Sequence, residues 1–564
     1  MADGRRNSVR KPSRHARGAS QDAPLLPFVL LSVGVLAFVL WPTIAILRES
    51  LYPDGSFSLA CYEDLIVKNY GLIENSLFIG FWTTLFALAI GLCCALYVTH
   101  TDYRGKRVVL AVLMMTLISP PFMSSLSYIM LFGRRGLISW KLLGLHWNPY
   151  GPHGIILMES VGLASIAAFL IMAVLKGMDK DLETASLDLG AGKGATLTKI
   201  TLPLARPGIV TAGLIVFIKS LSDFGTPIFI GGNYNVLATH AYTTAVGSYD
   251  LPKAAAISAL LLLPALVAFV IYRRLMGNKS LFSVKPGGGA SSKFGLPRAL
   301  GTVIYLVVWS YVAFEIAKYG AIFCGAFVKT WGVDFSPTYR HMEALKIAKM
   351  GSLFRSLKYA FTAATAAGLM GVLMARYLGR SEGPLARMID FVADLPFILP
   401  GPFFGIAYLL AFNWMPEAVL ASGFLIVTNC VYRQLSIGIK SGISVMGQIN
   451  PELEDAVRDQ GGGPLTALRD VTIPLMAPAF AVSFINTFTF TMTTVGGIIF
   501  LITPYTKVMT AEMFEAIQSG DIGASSAMAS VIVVVTMTVN LIFSRLVLGG
   551  KKREVQNVSS AKQS

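Results

Sequence analysis

The sequence has 564 residues, 54% of them hydrophobic and 14% charged, with a formal net charge of +16. A soluble domain carries about 25% charged residues, so this composition excludes an ordinary soluble globular protein and points to a bilayer as the solvent. The basic excess does not point to nucleic acid, because the basic residues cluster beside apolar runs, as the loops of membrane proteins do.

In chain order, residues 1–23 form a basic tail with Arg5, Arg6, Arg10, Lys11, Arg14 and Arg17. The apolar run at 25–47 is too long for a signal-peptide core and no small-residue cleavage site follows it, so it reads as an uncleaved first helix. About 20 apolar residues are needed to cross the hydrocarbon core. Runs of that kind follow near 76–98, 108–132, 155–177, 207–229 and 254–272, and again near 299–320, 357–378, 388–412, 417–439, 476–500 and 527–548. The runs at 207–229 and 476–500 have polar or Gly-containing ends. The expected fold is all-α and polytopic, with about twelve membrane helices.

The Gly-Gly-Gly-Ala-Ser-Ser stretch at 287–292 is a flexible composition near the midpoint. It divides the chain into a first half at 24–280, a linker at 281–298, a second half at 299–548 and a tail at 549–564. The basic leader, Arg104 to Arg107, Arg273-Arg274, Arg380 and Lys551 to Arg553 fall on one side by even helix counting. That side is expected to be cytoplasmic, with both termini inside. The outer stretch 321–355 carries Lys329, Arg340, Lys346 and Lys349, against the rule.

An internal repeat is visible. Tyr97 and Tyr377, Arg107 and Arg387, and Pro120 and Pro400 are each 280 residues apart. Glu183 and Glu454, Ala185 and Ala456, Gly190 and Gly461, Pro203 and Pro474, Pro207 and Pro478, Ser248 and Ser519, and Asp250 and Asp521 are each 271 apart. The shorter offset implies a longer outer loop in the first half, around Gly133 to Gly154. Six spans per half make the repeat parallel, with an axis along the membrane normal.

The segment after the fourth span of each half carries the informative motif. Leu182-Glu-Thr-Ala-Ser-Leu-Asp-Leu-Gly190 leads to Ile200-Thr-Leu-Pro203, and Leu453-Glu-Asp-Ala-Val-Arg-Asp-Gln-Gly461 leads to Val471-Thr-Ile-Pro474. Asp181, Glu183, Glu454 and Asp455 stand in the first turn of a short helix, where the dipole favours anions. Ala185 and Leu189 share a face, and Gly190 and Gly461 can take the left-handed geometry that ends a helix. One such helix is an ordinary connector; two at the same spacing and position are a device. The pair resembles the EAA segment of ABC importer permeases: Glu-Ala-Ala, three residues, Gly, nine residues, Ile, one residue, Leu-Pro. Thr184 and Asp455 stand at the Glu of that pattern, and Ser186 and Val457 at its second Ala. The Gly-to-Pro spacing is kept in both copies.

The resemblance covers about 24–548. It implies that 181–195 and 452–466 are coupling helices, with Glu183, Thr184, Ala185, Gly190, Glu454, Asp455, Ala456 and Gly461 at the contact with two cytoplasmic ATPase subunits. ATP and Mg would sit on those partners and none on this chain, and a periplasmic solute-binding protein would deliver substrate across a bacterial inner membrane. Ser222 to Thr239 and Thr494 to Pro504 look like the ferric-iron group of fused permeases and are similar to permeases for aminoethylphosphonate and, less closely, sugar phosphates. Ferric iron is the leading expectation.

Pro120, Pro121, Pro400 and Pro402 break two spans at matched depth, with Pro120 and Pro400 taken to border the pathway, and Asp223, Gly225, Asp394 and Gly496 are further pathway candidates. Gly225 and Gly496 equally suit helix packing. Glu159 and Asp390 are expected near span ends. A twelve-helix ion-coupled secondary transporter, using Asp223 and Asp394, is the alternative of another class. Gly190 to Lys193 fails the Walker pattern, because Leu187 and Gly194 stand where Gly and Ser or Thr are required. No catalytic constellation, metal cluster or CxxC pair is present in the sequence, and the six His residues are expected in tails and loops. A bridge between Cys61 and Cys324 is left open.

Overall fold

The computed structural model describes residues 25–53, 55–277, 295–379, 381, 383–450 and 452–561. The basic tail and the Gly/Ser-rich stretch at 287–292 lie outside the described residues. The first half comprises α1 (Leu26–Leu51), α2 (Tyr70–His100), α3 (Lys106–Ile118), α4 (Pro121–Phe132), α5 (Pro152–Gly177), α6 (Asp181–Asp188), α7 (Lys193–Leu221), α8 (Gly225–Ile230), α9 (Leu237–Gly247) and α10 (Leu251–Gly277). The second half comprises α11 (Arg298–Gly325), α12 (Arg340–Leu378), α13 (Pro384–Ile398), α14 (Gly401–Phe412), α15 (Phe424–Met446), α16 (Glu452–Asp459), α17 (Ala477–Thr493), α18 (Met509–Gln518) and α19 (Ile522–Ala561). A small antiparallel hairpin, β1 (Val328–Thr330) with β2 (Asp334–Pro337), stands between α11 and α12.

Among the described residues, eight helices are long and apolar enough to cross a membrane, and up to eleven spans result if each bent pair counts as one. The remaining expected span, 417–439, appears as α15, shifted to Phe424–Met446. It is long enough, but Asn429, Arg433, Gln434 and Lys440 lower its apolarity. The run at 207–229 also differs: its helix begins at Lys193 and stops at Leu221, where Ser222 and Asp223 turn the chain. Large apolar side chains such as Phe81, Leu263, Leu306 and Ile542 point outward from the spans, which a lipid solvent tolerates and water does not.

The repeat is structural. A Cβ on Gly91 of α2 would meet the Ala167 side chain of α5, and one on Gly371 of α12 would meet Gly438 of α15. These are repeat mates at offsets 280 and 271, and both mark close backbone approach. The first helix of each half packs on the other half. The Tyr408 hydroxyl donates to the Phe38 carbonyl at 2.7 Å, and Phe38 stacks on Tyr432 and Phe28 on Tyr377. In the opposite sense, the Trp309 indole donates to the Tyr97 hydroxyl at 3.2 Å, and Tyr311 donates to Thr116 at 3.3 Å. Tyr97 and Tyr377, themselves repeat mates, each receive a swapped helix.

Cys61 and Cys324 are not bridged to each other. His100, His153, His240 and His341 depart from the loop expectation: all four lie in helices, and His100, at the end of α2, is buried.

Candidate functional site

A cavity of about 310 Å³ lies between the two halves. Two matched breaks help shape it. Pro120 has no N–H and its ring forces the preceding residue out of the helical region. Ser119 is accordingly extended (ψ 143°), and so is Leu399 before Pro400 (ψ 127°). The paired helices on either side are bent by 111° at the first break and by 113° at the second. Pro120 lines the cavity; Pro400 does not, although Gly401 and Pro402 beside it do.

The cavity wall is charged. Asp223 lines it, as expected, but its carboxylate is engaged locally. Oδ1 accepts the N–H of Gly225 at 2.8 Å and Oδ2 the hydroxyl of Thr226 at 2.6 Å, which starts α8. Glu159 is not at a span end: it stands two turns inside α5, is 4% exposed and lines the cavity. Its Oε2 accepts from Ser220 and, at 3.3 Å, from Thr83, while Oε1 has no partner among the described residues. Lys219 and Arg433 also line the cavity. They lie over aromatic rings, Lys219 Nζ 5.5 Å from the Phe397 centroid and Arg433 Cζ 4.9 Å from that of Phe490. Lys318 is paired with Glu315 at 3.0 Å.

Gly496 lines the cavity, but its repeat mate Gly225 does not. Gly225 is buried under the Phe122 ring, so packing is its role. Asp394 also lies outside the cavity. Ser436 donates to it at 2.5 Å and Lys440 pairs with it at 3.2 Å and with Asp390 at 2.5 Å, which ties α13 to α15. Phe122, Phe224, Phe229, Tyr242 and Phe514 form an aromatic cluster against the cavity, beyond the end of α7.

The second feature is the pair α6 and α16, each eight residues long. The Asp181 N–H is accepted by Asp179 Oδ1 at 3.0 Å, and the Glu452 N–H by Asn450 Oδ1 at 3.1 Å. Gly190 has φ +83° and Gly461 φ +81°. The following amides reach back five residues, Ala191 to Ser186 at 3.1 Å and Gly462 to Val457 at 2.9 Å, a Schellman ending in both copies. Leu182, Ala185 and Leu189 are exposed on one face of α6, Leu189 at 88%, and Leu453 and Ala456 are exposed on α16. Thr184 and Asp455 are exposed as well. Glu183 turns inward: its Oε1 accepts from Thr201 at 2.6 Å and lies 3.1 Å from His100 Nε2. It ties α6 to the end of α2 and the start of α7. In the second half, Arg376 of α12 donates to Thr472 at 2.8 Å, and Thr472 is the repeat mate of Thr201.

Lys219 and Arg433 were not among the site residues expected from sequence, and Glu159 was expected near a span end rather than in the pathway. Their signal was present, as charges inside apolar runs.

The family described as the binding-protein-dependent transport system inner membrane component matches residues 87–277 and again 367–548. The ferric transport system permease protein FbpB of Actinobacillus pleuropneumoniae is 30% identical over 537 residues, 93% of this chain and 78% of that protein. A putative ferric transport system permease protein FbpB 1 of Haemophilus influenzae is 30% identical over 499 residues, 86% of this chain and 78% of that one. A putative 2-aminoethylphosphonate transport system permease protein PhnU of Salmonella typhi is 26% identical over 262 residues, 44% of this chain and 90% of that protein.

Proposed function

Since the chain belongs to the family of binding-protein-dependent transport system inner membrane components, we propose that it is the fused permease of an ATP-driven importer that carries ferric iron. It contains both halves of the permease, as two copies of one repeat, and its central cavity is the translocation path. Two copies of a cytoplasmic ATPase dock on α6 and α16 and hold the ATP and Mg, and the permease itself receives a substrate-loaded periplasmic binding protein on the opposite side. The termini face the cytoplasm.

The observation that carries the reading is the pair of short helices, capped alike and each presenting Leu and Ala to solvent. An apolar face on a rigid, double-capped helix is a docking element. Closure of an ATPase dimer displaces both helices together. Glu183 links α6 to α2 and α7, so the displacement reaches the spans that flank the cavity. The aromatic cluster around Phe122 and Phe514 is the seal on the far side. Iron is supported by the two ferric relatives, each matched over most of both chains. A phosphonate substrate is the second reading, supported by the aminoethylphosphonate relative and by the cations in the cavity.

The ion-coupled alternative finds less support, because the Asp223 carboxylate is engaged by Gly225 and Thr226 and Asp394 is paired with Lys440. The test is gentle purification from native membranes with mass spectrometry of co-purifying chains. An ATPase in twofold ratio, with a binding protein and its ligand, is expected. A chain that emerges alone, and whose transport survives without ATP but collapses with the ion gradient, overturns the reading.

A further inference from the structure

The charges of the central cavity are unevenly satisfied. Asp223 accepts from Gly225 and Thr226, and Glu159 accepts from Ser220 and Thr83. The two cations have no such company. Neither Lys219 nor Arg433 forms an ion pair with a carboxylate among the described residues. Nε and Nη1 of Arg433 are buried without a hydrogen-bond partner there, and what stabilises the two groups is the face of a ring. They come from opposite halves, Lys219 from α7 and Arg433 from α15, and line one cavity. Their repeat mates are Phe490 and Gly162, both uncharged, so the symmetry of the repeat is broken where the cations stand. Asn429, one turn before Arg433, is fully buried with both amide atoms unpartnered.

Unmet donors and unpaired positive charge in a water-poor site are stabilised by an acceptor that carries negative charge. A guanidinium offers a fork that matches two oxygens, and an ammonium adds a point charge. We propose that Lys219 and Arg433 form an oxyanion subsite, so that the substrate is held between the halves by a phosphate-, phosphonate- or carboxylate-type group. Among the described residues no three His, Cys, Asp or Glu converge as a metal site; where the substrate is a metal ion, the subsite holds the oxyanion that accompanies it. Glu159 Oε1, an unmet acceptor on the same wall, takes the donor or the cation that accompanies the anion. The word substrate rests on the importer reading; the anion site itself can be tested without it.

Inorganic phosphate is titrated into the full-length permease in detergent, with and without ferric iron. Binding of one phosphate per chain is expected, weakened about tenfold or more in Lys219→Gln and in Arg433→Gln. Arg433→Lys keeps charge and bulk but loses the fork, so it should weaken binding by about two- to tenfold; this variant carries the test if the neutral ones do not fold. Binding that needs no iron assigns a free oxyanion as the source, and binding only with iron assigns a metal complex. No phosphate binding under either condition, or equal binding in wild type and all three variants, overturns the proposal. ATP-driven uptake, measured separately, decides the importer reading, and either result can fail while the other stands.

Discussion

At the scale of single residues, Glu183 shows how a motif position can work from inside. Its exposure is 3%, and its carboxylate holds His100 and Thr201 together behind the exposed face of α6. Hydrogen bonds to a charged group contribute about 1.5–3 kcal/mol each. Glu183→Ala is therefore expected to uncouple ATP hydrolysis from substrate-loaded binding protein while the ATPase remains bound, and Glu183→Gln to do so less. Hydrolysis measured with and without binding protein checks both. A second residue gives a pH signature outside the membrane. Asp64 lies 2.8 Å from Lys253 Nζ, and Lys253 with Lys68 holds its carboxyl below the usual 3.8. A group with a lowered folded pKa contributes stability above its unfolded value and loses it as pH falls through the folded one. The melting difference between wild type and Asp64→Asn should stay constant from about pH 8 to about pH 5 and shrink only below about pH 4. At this scale the sequence revealed the capping glycines, because φ > 0 leaves few choices of residue. It did not reveal Lys219 and Arg433 as neighbours, because that pairing depends on how the two halves meet.

At the scale of elements, the capped short helices and the broken spans are separate devices. No atom lies within 4 Å of a Cβ placed on Gly190 or Gly461, so substitution there tests backbone geometry without a clash. Gly190→Ala and Gly461→Ala should each destabilise the helix ending by about 1 kcal/mol and weaken ATPase docking to a similar degree, with Asn variants milder; affinity of the purified ATPase for each variant permease reads this. Unequal losses would show that the two dockings differ. Pro120→Ala and Pro400→Ala should alter transport-coupled ATP hydrolysis, since the 111° and 113° bends at these breaks shape the cavity. Coupling unchanged in both variants would mean the bends do not border the path. Element positions were legible where hydropathy is the only demand on a helix, as in Tyr70–His100 and Pro152–Gly177. They slipped where a helix serves two solvents. The α15 helix presents Arg433 to the cavity and Lys440 to α13, so its apolar run is a poor guide to its bounds.

At the scale of the whole molecule, the two-half architecture was readable from matched residues, since a repeat leaves its offsets in the chain. The exchange of first helices was not readable. A span such as α1 must satisfy lipid on one side whichever helices it meets on the other, and the sequence of Leu26–Leu51 does not name them. The exchange makes the halves mutually dependent. If the chain is divided between residues 278 and 294 and both parts are co-expressed, they should co-purify as one complex. The first part alone, lacking the α14 and α15 surfaces for Phe38, should be recovered in poor yield. Tyr408→Phe, which removes the hydroxyl bound to the Phe38 carbonyl, should weaken the split complex more than the intact chain.

The same clasp sets an order of events during synthesis. Tyr408 follows Phe38 by 370 residues. At about 5–20 residues per second, roughly 20–75 s separate the emergence of the two. For that interval α1 sits in lipid with its inner face, Phe28, Phe38 and their neighbours, unoccupied. The helix that enters the membrane first is thus among the last to reach its final neighbours, and that delay is a window in which a membrane quality-control protease would meet the unfinished chain.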